Sequence, residues 1–255
     1  MIPKIIHYCW FGKGNKNKLI TDSIASWKRR CPDYEIIEWN EDNYDISKNQ
    51  YMKQAYDAGK WAFVSDYVRL DVLYQYGGIY LDTDVEVKKS FDPLLQLKGF
   101  GCFEDEKFVS TCLIAGEKGL PLFNKLLQDY ENLSFVKQDG SFDLTINEGK
   151  ITNALVKDGL ILNNTKQTVS DFTVFTNDYF SPDLYGDRNF YGKSKNTYAI
   201  HYFLGSWHKE DNKFASFIQS HSNSYLIRAI KKIMLRLLGD TYQKLSSRLK
   251  SIRKR

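Results

Sequence analysis

Cysteine and histidine are scarce in this 255-residue chain, four of each. The cysteines (Cys9, Cys31, Cys102 and Cys112) show no Cys-x-x-Cys spacing, which argues against a zinc site, and a chain of this length needs no disulfide scaffold. They are read as reduced thiols. No apolar run approaches the roughly 18 residues that a membrane span requires. No signal-peptide pattern opens the chain either, since Met1-Ile2-Pro3-Lys4 runs straight into the strand-like Ile5-Ile6-His7-Tyr8. The expected location is therefore cytoplasmic. Internal repeats and low-complexity linkers are also missing, which leaves one large domain, or a domain with an appendage.

What is present fits a soluble globular protein with an ample core, with 42% apolar and 26% charged residues. Aromatic content is high at 15%. Aromatic rings fill cores, and they also stack on nucleobases and sugars. The net charge of +5 is unevenly spread: from His221 onward ten Lys and Arg face Asp240 alone, a local +9 that leaves the rest at −4. A mildly acidic body thus carries a strongly basic tail.

Strand-like segments fall at 4–9, 34–39, 79–87, 99–103 and 111–115, with weaker ones near 171–175 and 197–203. Helix-like segments fall at 17–30, 49–57, 61–76, 120–132 and 149–157. This alternation predicts an α/β layered fold with a largely parallel sheet. In 61–76, Trp61, Val64, Val68, Val72 and Tyr76 recur at helical spacing, and Gly77 is expected to stop the helix in the left-handed region. The stretch 181–197, with Pro182, Gly186, Gly192 and several Asn and Asp, reads as an ordered loop or active-site flap. Ile227, Ile230, Met234 and Leu237, then Tyr242, Leu245, Leu249 and Ile252, predict two basic amphipathic helices.

The run SDYVRLDVLYQYGGIYLDTDVEV at 65–87 carries the most chemistry. A charged helix ends at paired glycines, a short apolar strand follows, and the strand exits into Asp82-Thr83-Asp84. Two carboxylates so close at the end of a buried strand are costly to hold together without a cation between them, and Mg²⁺ or Mn²⁺ suits oxygen ligands of this kind. In an extended chain Asp82 and Asp84 share one side; in a turn, one can hold metal while the other meets a ligand hydroxyl. Two solvated aspartates at a strand end are the plain alternative. Asp66 and Arg69, at i and i+3, share a helix face. They are either a surface ion pair worth about 0–1 kcal/mol or a carboxylate for sugar hydroxyls beside a guanidinium for a diphosphate.

IPKIIHYCWFG at 2–12, the 65–87 run and HYFLGSWH at 201–208 together resemble the DXD-containing sugar transferases of glycosyltransferase family 32, over residues 1 to about 208. That group includes capsular and lipopolysaccharide sugar transferases and is distantly similar to the large glucosylating toxins. The resemblance implies a GT-A fold (Rossmann-like), a UDP- or GDP-sugar donor, a divalent metal (Mn²⁺, or Mg²⁺) and retention of anomeric configuration. It also implies a glycan or lipid-linked acceptor in cell-surface polysaccharide synthesis. By the same resemblance Trp10 stacks on the nucleobase, Asp66 and Arg69 hold donor sugar and diphosphate, and Asp82 meets ribose and sugar hydroxyls. Asp84 holds the metal, His201 or Ser206 supplies a further ligand, and Trp207 contacts the leaving phosphate. Without the resemblance, Trp10 reads equally as a core tryptophan and His201 as a structural histidine. Asn147-Glu148-Gly149-Lys150-Ile151-Thr152 departs from the family's Gly-Pro before the Thr and leaves the acceptor side open.

The expected division is a catalytic domain at 1–210 and a basic helical tail at 211–255. The tail, through 221–255, is read as a peripheral anchor on the anionic inner face of the cell membrane. An oligomerising helix and nucleic-acid binding are the other readings of the tail, and a nucleic-acid partner is not expected. Two rivals to the transferase stand: a haloacid-dehalogenase-like phosphatase using Asp82, and a membrane-bound scaffold without catalysis.

Overall fold

The computed structural model describes residues 1–181 and 194–203. Ser206, Trp207, the boundary near 210, the tail and most of the 181–197 loop lie outside the described residues.

Nine strands and five α-helices are formed there: β1 (Ile5–Cys9), α1 (Lys18–Arg30), β2 (Glu35–Trp39), α2 (Gln50–Asp57), α3 (Trp61–Tyr76), β3 (Gly78–Leu81), β4 (Val85–Val87), β5 (Gly99–Cys102), β6 (Leu113–Gly116), α4 (Pro121–Glu131), α5 (Asn147–Lys157), β7 (Gln167–Val169), β8 (Phe172–Phe175) and β9 (Ala199–His201). Seven strands make the central sheet in the order β2-β1-β3-β6-β5-β8-β7, and β4 pairs with β9 in a separate ribbon.

The α/β class is as the alternation predicts, but the sheet is mixed rather than largely parallel. β2/β1, β1/β3 and β5/β8 are parallel, whereas β3/β6, β6/β5 and β8/β7 are antiparallel. A parallel return needs a crossover of a dozen or more residues, usually helical. Residues 103–112 between β5 and β6 form no helix, and a Phe103–Val109 bridge folds them back. β6 therefore returns antiparallel.

Strand alternation divides the core between two faces. Tyr80 and Ile114 pack with α2, α3, α4 and α5 on one face, while Ile6, Ile79, Leu81 and Leu113 pack with Trp27 of α1 on the other. All four cysteines are buried and free. α3 is the central helix. Val64, Val68 and Val72 are buried as their spacing predicts, but so are the polar Asp66, Arg69 and Asp71. Trp61 and Tyr76, expected on the core face, are instead 38% and 51% exposed at the helix ends.

Gly77 ends α3, but not in the left-handed helical region that was expected. Its φ is 69° and ψ −178°, an extended conformation at positive φ that only glycine adopts readily. A Cβ on Gly77 would sit 2.6 Å from the Lys118 nitrogen, and one on Gly78 (φ 114°) 2.7 Å from the Ile5 carbonyl. The two glycines therefore let the helix pass directly into β3, pressed against its neighbours.

His7 of β1 is fully buried between these parts. Trp39 Nε1 donates to its Nδ1 at 3.1 Å, so Nε2 carries the proton and donates to the Gly77 carbonyl at 2.8 Å. A second ring proton would face the Trp39 donor. Burial pushes the imidazole pKa down to about 4, against the opposing pull of the Gly77 carbonyl. An unfolded histidine takes its proton near 6.5, so between pH 6.5 and 4 the unfolded chain binds more protons. His7 thus contributes stability that is complete above pH 6.5 and lost as pH falls towards 4, about 3 kcal/mol in all. Its imidazole signals should titrate near pH 4 by NMR, and His7→Gln should remove this component from the pH dependence of unfolding. A midpoint near 6.5 would refute the buried neutral state.

Candidate active site

Four segments converge beyond the C-terminal end of β3. β1 and β3 are parallel, with His7 level with Tyr80, so both strands deliver their following residues to the same edge. In open α/β sheets that edge is where ligands bind. β3 delivers Asp82, and β1 delivers Trp10.

The expected strand 79–87 is broken between Leu81 and Val85. The Asp82 N–H donates to the Cys112 carbonyl at 2.8 Å, and the Val85 N–H returns to the Asp82 carbonyl at 3.0 Å, which closes a tight turn around Thr83 and Asp84. β4 then leaves the sheet and is held by α1. The Trp27 indole donates to the Val85 carbonyl at 2.7 Å, and the Ser26 hydroxyl accepts the Val87 N–H at 2.8 Å. β9 pairs antiparallel with β4, placing His201 opposite Val85. The Tyr202 N–H donates to the Asp84 carbonyl at 3.0 Å.

This pairing brings His201 Nε2 to 3.3 Å from Asp84 Oδ1. Ligand atoms of Asp82, Asp84 and His201 all lie within 4.8 Å of one another. The turn therefore does not separate the two aspartates: Asp82, assigned to hydroxyls by the resemblance, stands in the same cluster as Asp84 and His201. His201 Nδ1 is buried with no hydrogen-bond partner among the described residues. Burial works against a charged imidazole here, but the adjoining Cys112 sulfur and the Asp84 carboxylate raise the His201 pKa well above its ordinary value.

Asp66 and Arg69 are not a surface pair. Both are buried, and Arg69 Nη2 reaches Asp66 Oδ1 at 3.1 Å and Asp82 Oδ1 at 3.4 Å. Nη1 donates to the Thr111 carbonyl at 2.8 Å, and the guanidinium carbon lies 4.7 Å from the centre of the Tyr80 ring. Arg69 thus ties the helix carboxylate to the strand-end carboxylate. Burial lifts the Asp66 carboxyl to about 7; Arg69 opposes this, while Glu148 and Asp82 add to it. Asp82 is raised in the same way, by burial and by Asp84.

Trp10 stands half-buried at the end of β1, with its backbone N–H on the Trp39 carbonyl. Its indole N–H donates to the Gly14 carbonyl at 2.7 Å, and the Lys16 ammonium lies 5.0 Å from the ring centre. Of the predicted site residues, the structure gathers Asp66, Arg69, Asp82, Asp84 and His201 into one cluster and sets Trp10 on the same sheet edge. Ser206 and Trp207 lie outside the described residues.

Three further residues complete the cluster. α5 begins two residues earlier than its periodicity suggests, and the buried Asn147 donates to the Asp66 carbonyl at 3.0 Å. Glu148, next in the chain, adds negative charge near Asp66 and Asp82. Glu104, after β5, accepts from the Ser110 hydroxyl at 3.2 Å, and burial together with Glu148 raises its carboxyl to about 7. The one hint in the sequence was the departure at 147–152; nothing singled out Glu104. Asp66, Asp82, Asp84, Glu104 and Glu148 outnumber Arg69, Lys150 and His201 here, and a divalent cation would offset that excess.

Residues 18–100 match the family described as "Glycosyltransferase sugar-binding region containing DXD motif". Over 146 residues the chain is 29% identical to inositol phosphoceramide mannosyltransferase 3 of Schizosaccharomyces pombe, covering 52% of this chain and 38% of that protein. It is 26% identical over 221 residues to an uncharacterized glycosyltransferase of Acanthamoeba polyphaga mimivirus, covering 81% of this chain and 84% of the viral protein. The chain thus spans well under half of the fungal relative's length. Among solved structures it is similar to the PaToxG glycosyltransferase (24% identity, TM-score 0.48, 62% of this chain and 69% of that one). It is also similar to the galactosyltransferase LgtC (13% identity, TM-score 0.43, 86% and 95%). Residues 18–100, which carry α1, α3 and the Asp82–Asp84 turn, thus match a glycosyltransferase sugar-binding region that contains a DXD motif.

Proposed function

We propose that the protein is a metal-dependent glycosyltransferase that moves a hexose from a nucleoside-diphosphate sugar to a glycan or lipid-linked acceptor. The observation that carries this reading is the convergence of Asp82, Asp84 and His201 within 4.8 Å, with the two aspartates inside the matched region and the buried Arg69 beside Asp82. Two carboxylates and an imidazole, with surplus negative charge around them, fit Mn²⁺ or Mg²⁺. When bound, the metal stabilises the negative charge that builds on the departing diphosphate.

The chain's own residues supply the rest of the reaction. Arg69 holds the Asp66 and Asp82 carboxylates in place, so that neither reorganises as charge develops. Asp66 presents an acceptor to donor-sugar hydroxyls, and Trp10 lies where a nucleobase could stack. Asn147 fixes the Asp66 carbonyl, and Glu148 adds negative charge beside Asp66 and Asp82. For a retaining reaction that hydroxyl attacks the face from which the diphosphate leaves, and its proton passes to the departing phosphate, so no enzymic nucleophile is required. Ser206 and Trp207 belong to the same proposal as groups closing over the diphosphate.

The mannosyltransferase relative, named for a phosphoceramide acceptor, supports a lipid-linked acceptor for this chain as well. A lipid-linked acceptor in cell-surface polysaccharide synthesis would give the basic segment 221–255 a purpose as a peripheral anchor on the inner face of the membrane. The phosphatase alternative has less support, because its nucleophile Asp82 falls inside the sugar-binding match.

The test is a ³¹P NMR screen of UDP- and GDP-sugars with Mn²⁺. We expect one donor to release its nucleoside diphosphate, and EDTA to stop the release. If every donor stayed intact, or if release were indifferent to metal, the proposal would fail.

A further inference from the structure

A second site lies on the far side of α3. A cavity of about 320 Å³ opens between the end of β2 and the C-terminal half of α3, lined by Trp39, Tyr44, Lys48, Asp71, Gln75 and Tyr76. That is at the small end of ligand pockets, which run from about 300 to 1,000 Å³. Asp71 follows Asp66 by five residues on the helix, so it points roughly 140° away around the axis. This cavity is therefore not part of the carboxylate cluster.

Its wall is aromatic and fixed. Tyr76 and Trp39 stack with ring centres 5.6 Å apart and planes 23° from parallel, and Tyr44 meets Trp39 edge-on at 6.0 Å. Tyr76 remains half exposed, an unusual placement for a large ring at the end of the helix that crosses the core. Its floor is an acid held in place: Asp71 is 4% exposed, and one carboxylate oxygen accepts both the Tyr44 hydroxyl and the Lys48 ammonium, each at 2.6 Å. The other oxygen makes no hydrogen bond among the described residues. Gln75 adds an exposed amide at the rim.

We propose that this cavity binds a neutral saccharide, independently of the donor site. A pyranose has an apolar C–H face and a rim of hydroxyls that both donate and accept. The Tyr76 ring matches the first, and the carboxylate, ammonium and amide match the second. Charge disfavours an anionic ligand: the Asp71 and Asp45 carboxylates repel a phosphate, and the Lys48 ammonium is already paired with Asp71. For a protein of this family such a site would hold a sugar unit of an extended glycan away from the reacting end.

The test is saturation-transfer NMR on the full-length protein with methyl glycosides of glucose, galactose, mannose and N-acetylglucosamine. At least one glycoside should receive saturation, mainly through one face of its ring. Tyr76→Ala should weaken its binding about tenfold, Tyr76→Phe should preserve it, and Asp84→Asn should leave it unchanged. Should Tyr76→Ala not fold, the exposed change Gln75→Ala should weaken binding severalfold. The proposal is overturned if no glycoside receives saturation, or if binding survives these cavity variants undiminished. Loss of binding in Asp84→Asn would overturn it too, by assigning the saccharide to the donor site, and choline binding in its place would mark the cavity as a cation cage.

Discussion

Asp84→Asn should lower metal-dependent donor cleavage by about 10²–10⁴-fold, the effect of removing several kcal/mol of charge stabilisation. The substitution suits the question because it keeps the size of the side chain and removes only its charge. Asp84 is buried, faces His201 Nε2 at 3.3 Å, and has its carbonyl fixed by the Tyr202 N–H, so the turn should survive. The same protein should bind Mn²⁺ more weakly by calorimetry, separating metal affinity from turnover. Thr83→Ala, between the two aspartates but outside the ligand cluster, is the control and should stay within severalfold of the wild type. An Asp84→Asn protein with a tenth or more of normal activity and an unchanged Mn²⁺ requirement would remove Asp84 from the metal role.

Arg69→Met should be the most destabilising single change at this site, by about 3–5 kcal/mol. The guanidinium joins two carboxylates, Asp66 at 3.1 Å and Asp82 at 3.4 Å, and satisfies the Thr111 carbonyl. Removing it leaves buried negative charge without a counterion. The sign of the pH dependence follows from Asp66, which burial already raises to about 7 with Arg69 in place. Without Arg69 its folded pKa rises further above the unfolded value near 3.9. The folded variant then binds more protons than the unfolded chain above pH 4, and its stability falls as pH rises. Chemical denaturation at pH 5.5 and 8 should show a larger deficit against wild type at pH 8. Arg69→Lys should recover only part of the loss, because one ammonium lacks the planar fork that meets three partners at once. Equal deficits at both pH values would show that packing, rather than unpaired charge, causes the effect.

Much of the fold was legible because its elements are locally determined. α3 and β3 were readable from helical spacing, two glycines and an apolar run. Five helices and most strands were visible within a few residues, since each depends on periodicity and turn chemistry nearby. β7 was missed: Gln167–Val169 is a three-residue edge strand without an alternating pattern. Sheet direction was misjudged because it depends on the path of a connection, and residues 103–112 carry no periodic signal of returning as a hairpin.

The candidate site divides in the same way. Asp66, Arg69, Asp82 and Asp84 lie within one continuous run, so residue type and spacing were enough to nominate them. Trp10 and His201 could be nominated only through the resemblance. Glu104 was not foreseen at all, because a glutamate in an irregular connection acquires a raised pKa only when folding buries it beside Glu148.

The sequence alone determined the helix, the paired glycines and the two aspartates at a strand exit, because these rest on interactions between neighbours in the chain. Tertiary structure decided how they act. It turned Asp66 and Arg69 from a solvated pair into a buried bridge to Asp82. It also brought His201, 117 residues further along, against Asp84 through the β4–β9 ribbon. Those outcomes depend on burial and on long-range strand pairing, and neither is written in local spacing.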